Sequence, residues 1–160
     1  MADATELDAR SIVTTRLIDA PRDLVFEAFT DPKHLSQWWG PDGFTTTTSR
    51  FEFRPGGVWR FVMHGPDGRD YENRVQFEEI VPPERIAIWH DDGKDNPEIR
   101  FHNTITLEDT GGKTQLTMRG VFATAQERER VARENGAVEG GQQTVARLAA
   151  YVAQLARKKG

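Results

Sequence analysis

The chain of 160 residues contains no cysteine. This absence excludes disulfides, thiolate metal ligands and a cysteine nucleophile. Apolar runs long enough to span a membrane are also missing, and residues 1–11 lack the basic and apolar regions of a secretory signal. We therefore expect a cytoplasmic protein that does not enter a membrane.

An excess of positive charge is missing as well. The chain has 21 Lys and Arg residues against 25 Asp and Glu residues, which gives a net charge of -4. Proteins that bind the phosphate backbone of nucleic acids usually carry a clear basic excess. We expect no nucleic-acid partner.

Familiar catalytic and metal-binding motifs are absent too. The 4 histidines have no short metal-ligand spacing, and no serine stands in a Gly-x-Ser-x-Gly turn. The glycines of "RPGGV" join two strand-like runs and do not lead into a helix, as a phosphate loop would. The sequence therefore predicts no metal, no cofactor and no hydrolase triad.

What is present alternates between strand and turn signals. The stretch "SIVTTRLI" is rich in β-branched residues and predicts a strand, and two short helices follow at Pro21 and at Asp31-Pro32. Six further strand-like runs with turn residues between them predict antiparallel hairpins, at about 44–53, 57–64, 69–81, 84–90, 98–109 and 113–123.

Side-chain alternation gives the predicted sheet one aromatic face and one charged face. A final helix at about 138–157 carries an inward stripe that includes Val138 and Val152. We expect this helix to cover the aromatic face, so the fold class is α+β.

Five segments carry a resemblance to a known family. They are "IDAPRDLVFEAFTDPKHLSQWWGP", "FRPGGVWRFVMHGPDG", "FEEIVPPERI", "TITLEDTGGKTQLTMRG" and "GAVEGGQQTVARLAAYV". In this order they resemble the Hsp90 ATPase activator homologue-like family of the START/Bet v 1-like superfamily. The resemblance implies a helix-grip fold, in which a curved seven-stranded antiparallel sheet wraps around a long C-terminal helix, with two short helices after strand 1. We expect an N-terminal tail at 1–10 and a single domain at 11–157.

The resemblance also implies a cavity between the sheet and the last helix, suited to a small hydrophobic molecule. The side chains expected to line it are apolar apart from two amides: Trp38, Trp39, Phe53, Trp59, Phe61, Met63, Asn73, Phe77, Phe101, Asn103, Met118, Gly141, Val145 and Leu148. Trp38 and Trp39 either border the cavity mouth or seal the core. The two amides need a partner in the protein, water or a ligand.

Gly141 departs from the family pattern, because many relatives have a large aromatic residue at the matching place in the last helix. The missing side chain leaves space beneath the sheet or, alternatively, allows close contact between helix and sheet. On the first interpretation, Gly141→Trp fills part of the cavity and raises stability. On the second, it overpacks the interior and destabilises the protein.

Three functions remain open, since the superfamily includes ligand carriers, polyketide cyclases, lipid binders and co-chaperone domains. The leading prediction is a protein that binds a small apolar or aromatic ligand. The first alternative is a cyclase- or dehydratase-type enzyme in which His90, the best acid/base candidate, acts with Asn73 or Asn103. The second is a chaperone-interacting domain. A chaperone or a second copy of the chain remains open as a partner.

Overall fold

Seven antiparallel strands form one sheet, in the order β1-β7-β6-β5-β4-β3-β2. The computed structural model describes residues 4–97 and 99–159. The strands are β1 (Ser11–Ile18), β2 (Thr45–Phe51), β3 (Val58–His64), β4 (Asp70–Val81), β5 (Arg85–Asp91), β6 (Arg100–Thr110) and β7 (Lys113–Phe122). The helices are α1 (Ala4–Ala9), α2 (Arg22–Glu27), α3 (Pro32–Trp38), α4 (Ala125–Asn135) and α5 (Ala137–Lys159). The predicted strands and helix-grip fold are confirmed.

The helix ends follow from local chemistry that the sequence predicts. The carboxylate of Asp31 accepts a hydrogen bond from the backbone N–H of Lys33 at 2.8 Å and caps α3. Thr124 caps α4 in the same way through the N–H of Glu127. Gly136 ends α4 with φ at +60°, a left-handed conformation that glycine adopts without steric cost. The chain then turns directly into α5.

Helix α5 lies against the inner face of the sheet and forms the core with it. Val145, Leu148 and Val152 of α5 are completely buried. Two register shifts, at Thr48/Arg50 in β2 and at Phe77/Glu79 in β4, mark bulges, and bulges bend a strand and increase its twist. The curved sheet can therefore wrap around the helix.

Within the predicted N-terminal tail at 1–10, residues 4–9 form α1, and the hydroxyl of Ser11 donates to the carbonyl oxygen of Leu7. One expectation about α5 needs correction. Val138 is 44% exposed and does not face inward, because the inner side of the first turns of α5 is occupied by Ala137 and Gly141. Within residues 4–97 and 99–159, no helix combines the length and the hydropathy needed to cross a bilayer.

Candidate functional site

A partly open cavity of about 190 Å³ lies between the sheet and the first turns of α5. Its sheet wall comes mainly from β1, β6 and β7, through Ile12, Thr14, Phe101, Asn103 and Met118. An engineered protein cavity of about 150 Å³ holds benzene, so this space is large enough for a small aromatic molecule.

The opposite wall is built from helix ends and a loop. The loop after α3 contributes Trp39, Gly40 and Pro41, and α5 contributes Gly141 and Thr144. Elements far apart in sequence thus meet at one end of the space between α5 and the sheet. The size of the cavity therefore depends on the position of α5 relative to the loop after α3.

Glycines at two wall positions bring neighbouring groups close together. A Cβ atom at Gly120 in β7 would lie 3.3 Å from the ring of Phe101, so this ring packs over the bare backbone of its neighbouring strand. A Cβ atom at Gly141 would lie only 2.7 Å from Oγ1 of Thr14. Gly141 therefore permits close contact between α5 and β1, and the space expected directly beneath it is already occupied by Thr14.

The part of the interior next to this cavity is filled. Around Trp59, Phe77 and Ile105 only about 10 Å³ of space is left, which is hardly enough for one water molecule. The rings of Trp59 and Phe61 stack with centroids 3.9 Å apart, and Trp39 meets Trp59 edge-on at 5.0 Å. Trp39 borders both this packed region and the open cavity, and it forms the partition between them.

His90 reaches the cavity from β5, and an amide on β4 fixes its ring. Nδ2 of Asn73 donates to the carbonyl oxygen of Tyr71 at 3.0 Å, which leaves Oδ1 of Asn73 directed at Nε2 of His90, 2.9 Å away. Burial lowers the pKa of His90 to about 4, although the charge of Asp91 acts in the opposite direction. His90 is therefore neutral at pH 7.

Asp91 belongs to a separate ion pair at the end of β5. Nε and Nη2 of Arg74 donate to its two carboxylate oxygens at 3.0 and 2.6 Å, and the N–H of Gly93 donates to Oδ1. Burial acts to raise the pKa of Asp91, but these hydrogen bonds outweigh it and hold that pKa below its ordinary value. Asp91 is thus engaged with Arg74 and is not available to orient a ligand in the cavity.

Asn103 borders the cavity and carries a buried polar atom without a hydrogen bond. The residue is 5% exposed, and its Oδ1 has no partner among the described residues. Leaving a buried acceptor unsatisfied typically costs about 1–3 kcal/mol. A guest or a water molecule in the cavity would remove that cost.

The sequence identifies the family to which this chain belongs. The model for the family "Activator of Hsp90 ATPase homolog 1-like protein" matches residues 19–153. The chain belongs to this family.

Several solved structures have the same fold as this chain. A protein from Arthrobacter aurescens, solved by NMR, is 26% identical with a TM-score of 0.85, over 93% of this chain and 89% of that one. A crystal structure from Nitrosomonas europaea is 24% identical with a TM-score of 0.83, over 98% and 99% of the two chains. A Silicibacter pomeroyi protein of the same family is 21% identical with a TM-score of 0.73, over 90% and 98%. Among curated proteins the chain has no match.

The predicted site residues of this chain divide into two groups. Those that border the cavity are Trp39, Met63, His90, Phe101, Asn103, Met118 and Gly141. The others belong to the packed core or support it: Trp38, Phe53, Trp59, Phe61, Asn73, Phe77, Val145 and Leu148. Alternation identifies the face on which a side chain lies, but not whether the helix fills the space opposite it.

Trp38 seals the core and does not border the cavity. Its side chain is completely buried, its Nε1 donates to the carbonyl oxygen of Ala28 at 3.1 Å, and its ring meets Phe29 edge-on at 4.9 Å. The adjacent tryptophans therefore have different positions. Trp38 fixes α3 against α2, and Trp39 faces the cavity.

Several residues of the cavity wall are not predicted from the sequence. Thr14 and Thr144 are polar and were not expected on an apolar wall, and Gly120 carries no side chain. A glycine at an inward position of β7 is a usable signal, because an isolated strand glycine often marks close approach of a neighbouring group. The described residues contain no group of three or more metal-ligating side chains, so the geometry gives a metal ion no ready-made cluster.

Proposed function

We propose that the protein binds a small apolar or aromatic molecule in the cavity between the sheet and α5. The observation that carries the proposal is the contrast between about 190 Å³ of partly open space and the nearly void-free interior next to it. Most of the wall is apolar, and moving apolar surface out of water contributes roughly 25 cal/mol per Å². The polar atoms of His90 and Asn103 would orient the guest.

The enzyme alternative requires His90 to move protons. A general base works best when its pKa lies near the operating pH. With a pKa of about 4, His90 holds a proton too weakly to be an effective base at neutral pH. We therefore place ligand binding ahead of a cyclase- or dehydratase-type activity. The chaperone-related role suggested by the family description, the cytoplasmic location and the absence of a cofactor remain predictions.

A ligand titration tests the proposal. Adding p-xylene, p-cresol or indole should raise the melting temperature progressively with ligand concentration, because binding to the folded state alone stabilises it. In ¹H–¹⁵N correlation spectra, the backbone amides of Gly40, Gly120 and Gly141 should shift saturably. If none of these probes changes the melting temperature or the spectra, the proposal is wrong.

A matched pair of variants locates the binding. Met118→Trp adds bulk to the cavity wall and should abolish the thermal shift, whereas Leu17→Trp adds similar bulk at a position that is 50% exposed and should preserve it. Equal thermal shifts in both variants would place the bound probe outside the cavity. The amide shifts of the wild-type protein provide an independent location if Met118→Trp does not fold.

A further inference from the structure

Two polar atoms at the sheet wall of the cavity are hydrogen-bond acceptors without a partner in the described part of the protein. Oδ1 of Asn103 is the first: it is buried and has no partner within residues 4–97 and 99–159. A carbonyl oxygen of this kind accepts a hydrogen bond and cannot donate one. The group that completes it must therefore bring an O–H or N–H.

The second acceptor is a ring nitrogen of His90, and its state follows from the amide behind it. Because Nδ2 of Asn73 donates to Tyr71, it is Oδ1 of Asn73 that faces Nε2 of His90. Because Oδ1 of Asn73 can only accept a hydrogen bond, Nε2 of His90 must carry the proton that is donated to it. In a neutral imidazole the other nitrogen then has no proton, so Nδ1 of His90 is an acceptor.

The two acceptors are neighbours on the same face of the sheet. In the register of β5 and β6, His90 pairs with Phe101 and Ile88 pairs with Asn103. His90 and Asn103 are consequently diagonal neighbours, at a typical separation of about 7–8 Å. One small molecule in the cavity can reach both.

The rest of the wall favours a neutral aromatic guest. Among the described residues, no Asp, Glu, Lys or Arg side chain borders the cavity, so an ionic guest would lose its hydration without gaining a charge partner. Phe101, Met63 and Met118 offer a ring and two polarisable thioethers, which pack well against aromatic surfaces. The hydroxyl of Thr14 and the indole of Trp39 also border the cavity, and a guest hydroxyl can accept from such donors.

We propose that the cavity selects neutral aromatic molecules that carry a hydroxyl group, the phenol class, over hydrocarbons and ethers of the same size. The proposal rests on the proposed function, because it names the class of ligand for that cavity. Its physical basis is that a site with unpaired acceptors discriminates against a guest that has no donor to offer. A hydrocarbon in the same position would leave Asn103 unsatisfied.

Three probes of similar size test the selection at pH 7. p-Cresol carries a donor, p-xylene replaces the hydroxyl with a methyl group, and 4-methylanisole keeps the oxygen but has no donor. We expect p-cresol to bind the wild-type protein at least tenfold more tightly than either of the others, measured by calorimetry or by amide shifts. If p-xylene or 4-methylanisole binds as tightly as p-cresol, the selection for a hydroxyl is wrong while ligand binding stands. If none of the three binds, the proposed function itself fails.

Variants of Asn103 and His90 test whether these two residues cause the preference for a hydroxyl group. Asn103→Leu keeps a similar shape without the amide, and we expect the preference for p-cresol over p-xylene to fall to threefold or less. His90→Phe should reduce the same ratio, and it provides the test if Asn103→Leu does not fold. Leu17→Trp, on the outer face, should keep the wild-type ratio. An unchanged ratio in both acceptor variants would overturn the assignment.

Discussion

Nη1 of Arg147 in α5 lies 2.8 Å from the carbonyl oxygen of Gly40, to which it donates a hydrogen bond. It also donates to the carbonyl oxygen of Pro41 at 2.9 Å, and the N–H of Asp42 donates to Oε1 of Gln143 at 3.1 Å. These bonds hold the loop after α3 against the helix. Since Gly40 and Pro41 border the cavity, α5 sets the shape of that border.

Arg147→Ala should loosen this loop. A hydrogen bond to a charged group contributes roughly 1.5–3 kcal/mol, so we expect the free energy of unfolding to fall by about 2 kcal/mol. Amide hydrogen exchange at residues 40–44 should accelerate more than exchange in β6 and β7. Arg157→Ala, at an exposed position on the same helix, serves as the control and should leave both measurements unchanged. Uniform acceleration throughout the chain would argue against a local role for Arg147.

The low pKa of His90 makes stability depend on pH. The folded pKa is about 4 and the ordinary value is 6.5, so between these values the unfolded chain binds more protons than the folded protein. The free energy of unfolding should therefore fall as the pH is lowered from about 6.5 to 4, by up to about 3 kcal/mol at 1.4 kcal/mol per pKa unit.

Denaturant unfolding at a series of pH values measures this effect. His90→Gln should flatten the slope between pH 6.5 and 4, since glutamine does not titrate. His64→Gln, on the outer side of β3, is the matched control and should keep the wild-type contribution of His90. The interpretation fails if the slope in this pH range is the same with and without His90.

The contact between Gly141 and Thr14 favours the second of the two interpretations of Gly141, that of close contact between helix and sheet. A Cβ atom 2.7 Å from Oγ1 of Thr14 is too close, so Gly141→Trp should overpack the interior and destabilise the protein by about 1–3 kcal/mol. A lower melting temperature of the ligand-free variant is the expected result. A higher one would restore the cavity-filling interpretation.

A smaller change isolates the hydroxyl that causes the clash. Gly141→Ala improves helix propensity by roughly 1 kcal/mol, but the contact with Thr14 opposes this gain. In a Thr14→Ala background the nearest remaining side-chain atom, Cβ, lies 3.8 Å away, and the full gain should appear. Thr14→Val keeps an atom in the place of Oγ1 and should keep the penalty. A double-mutant cycle that shows no coupling between the two sites would contradict this account.

The two adjacent tryptophans should respond differently to the same substitution. Trp38→Phe removes the donor to the carbonyl oxygen of Ala28 and leaves a void, so the protein should lose about 2 kcal/mol of stability or more. Its affinity for p-cresol, measured by calorimetry, should remain within twofold. Trp39→Phe changes the partition beside the cavity and should weaken p-cresol binding at least threefold. Similar effects of both variants on affinity would contradict the division between core and cavity.

The sequence predicts the fold well because the fold depends on local signals. The β-branched run at 11–18 and the cap at Asp31 coincide with β1 and α3 in the structure. Alternation places Trp59 and Met118 correctly on one face of the sheet. These signals are short-range, and each can be recognised from a few consecutive residues.

The cavity is harder to predict because it depends on depth and register. Trp59 and Met118 share a face, but Trp59 is packed against Trp39 and Phe61, whereas Met118 borders open space. The pairing of His90 with Asn73 depends on the register of β4 and β5, where a shift at Phe77/Glu79 interrupts the ladder. No pattern within one strand reports such a shift.

The partition formed by Trp39 places the two halves of one interior under different evolutionary constraints. Side chains in the filled half, such as Trp59 and Phe77, have neighbours on all sides, so almost any exchange there lowers stability. Met63 and Met118 border empty space and lose fewer contacts when they change. Under the proposed function, single substitutions at these two positions can therefore change the guest preference while the fold is kept.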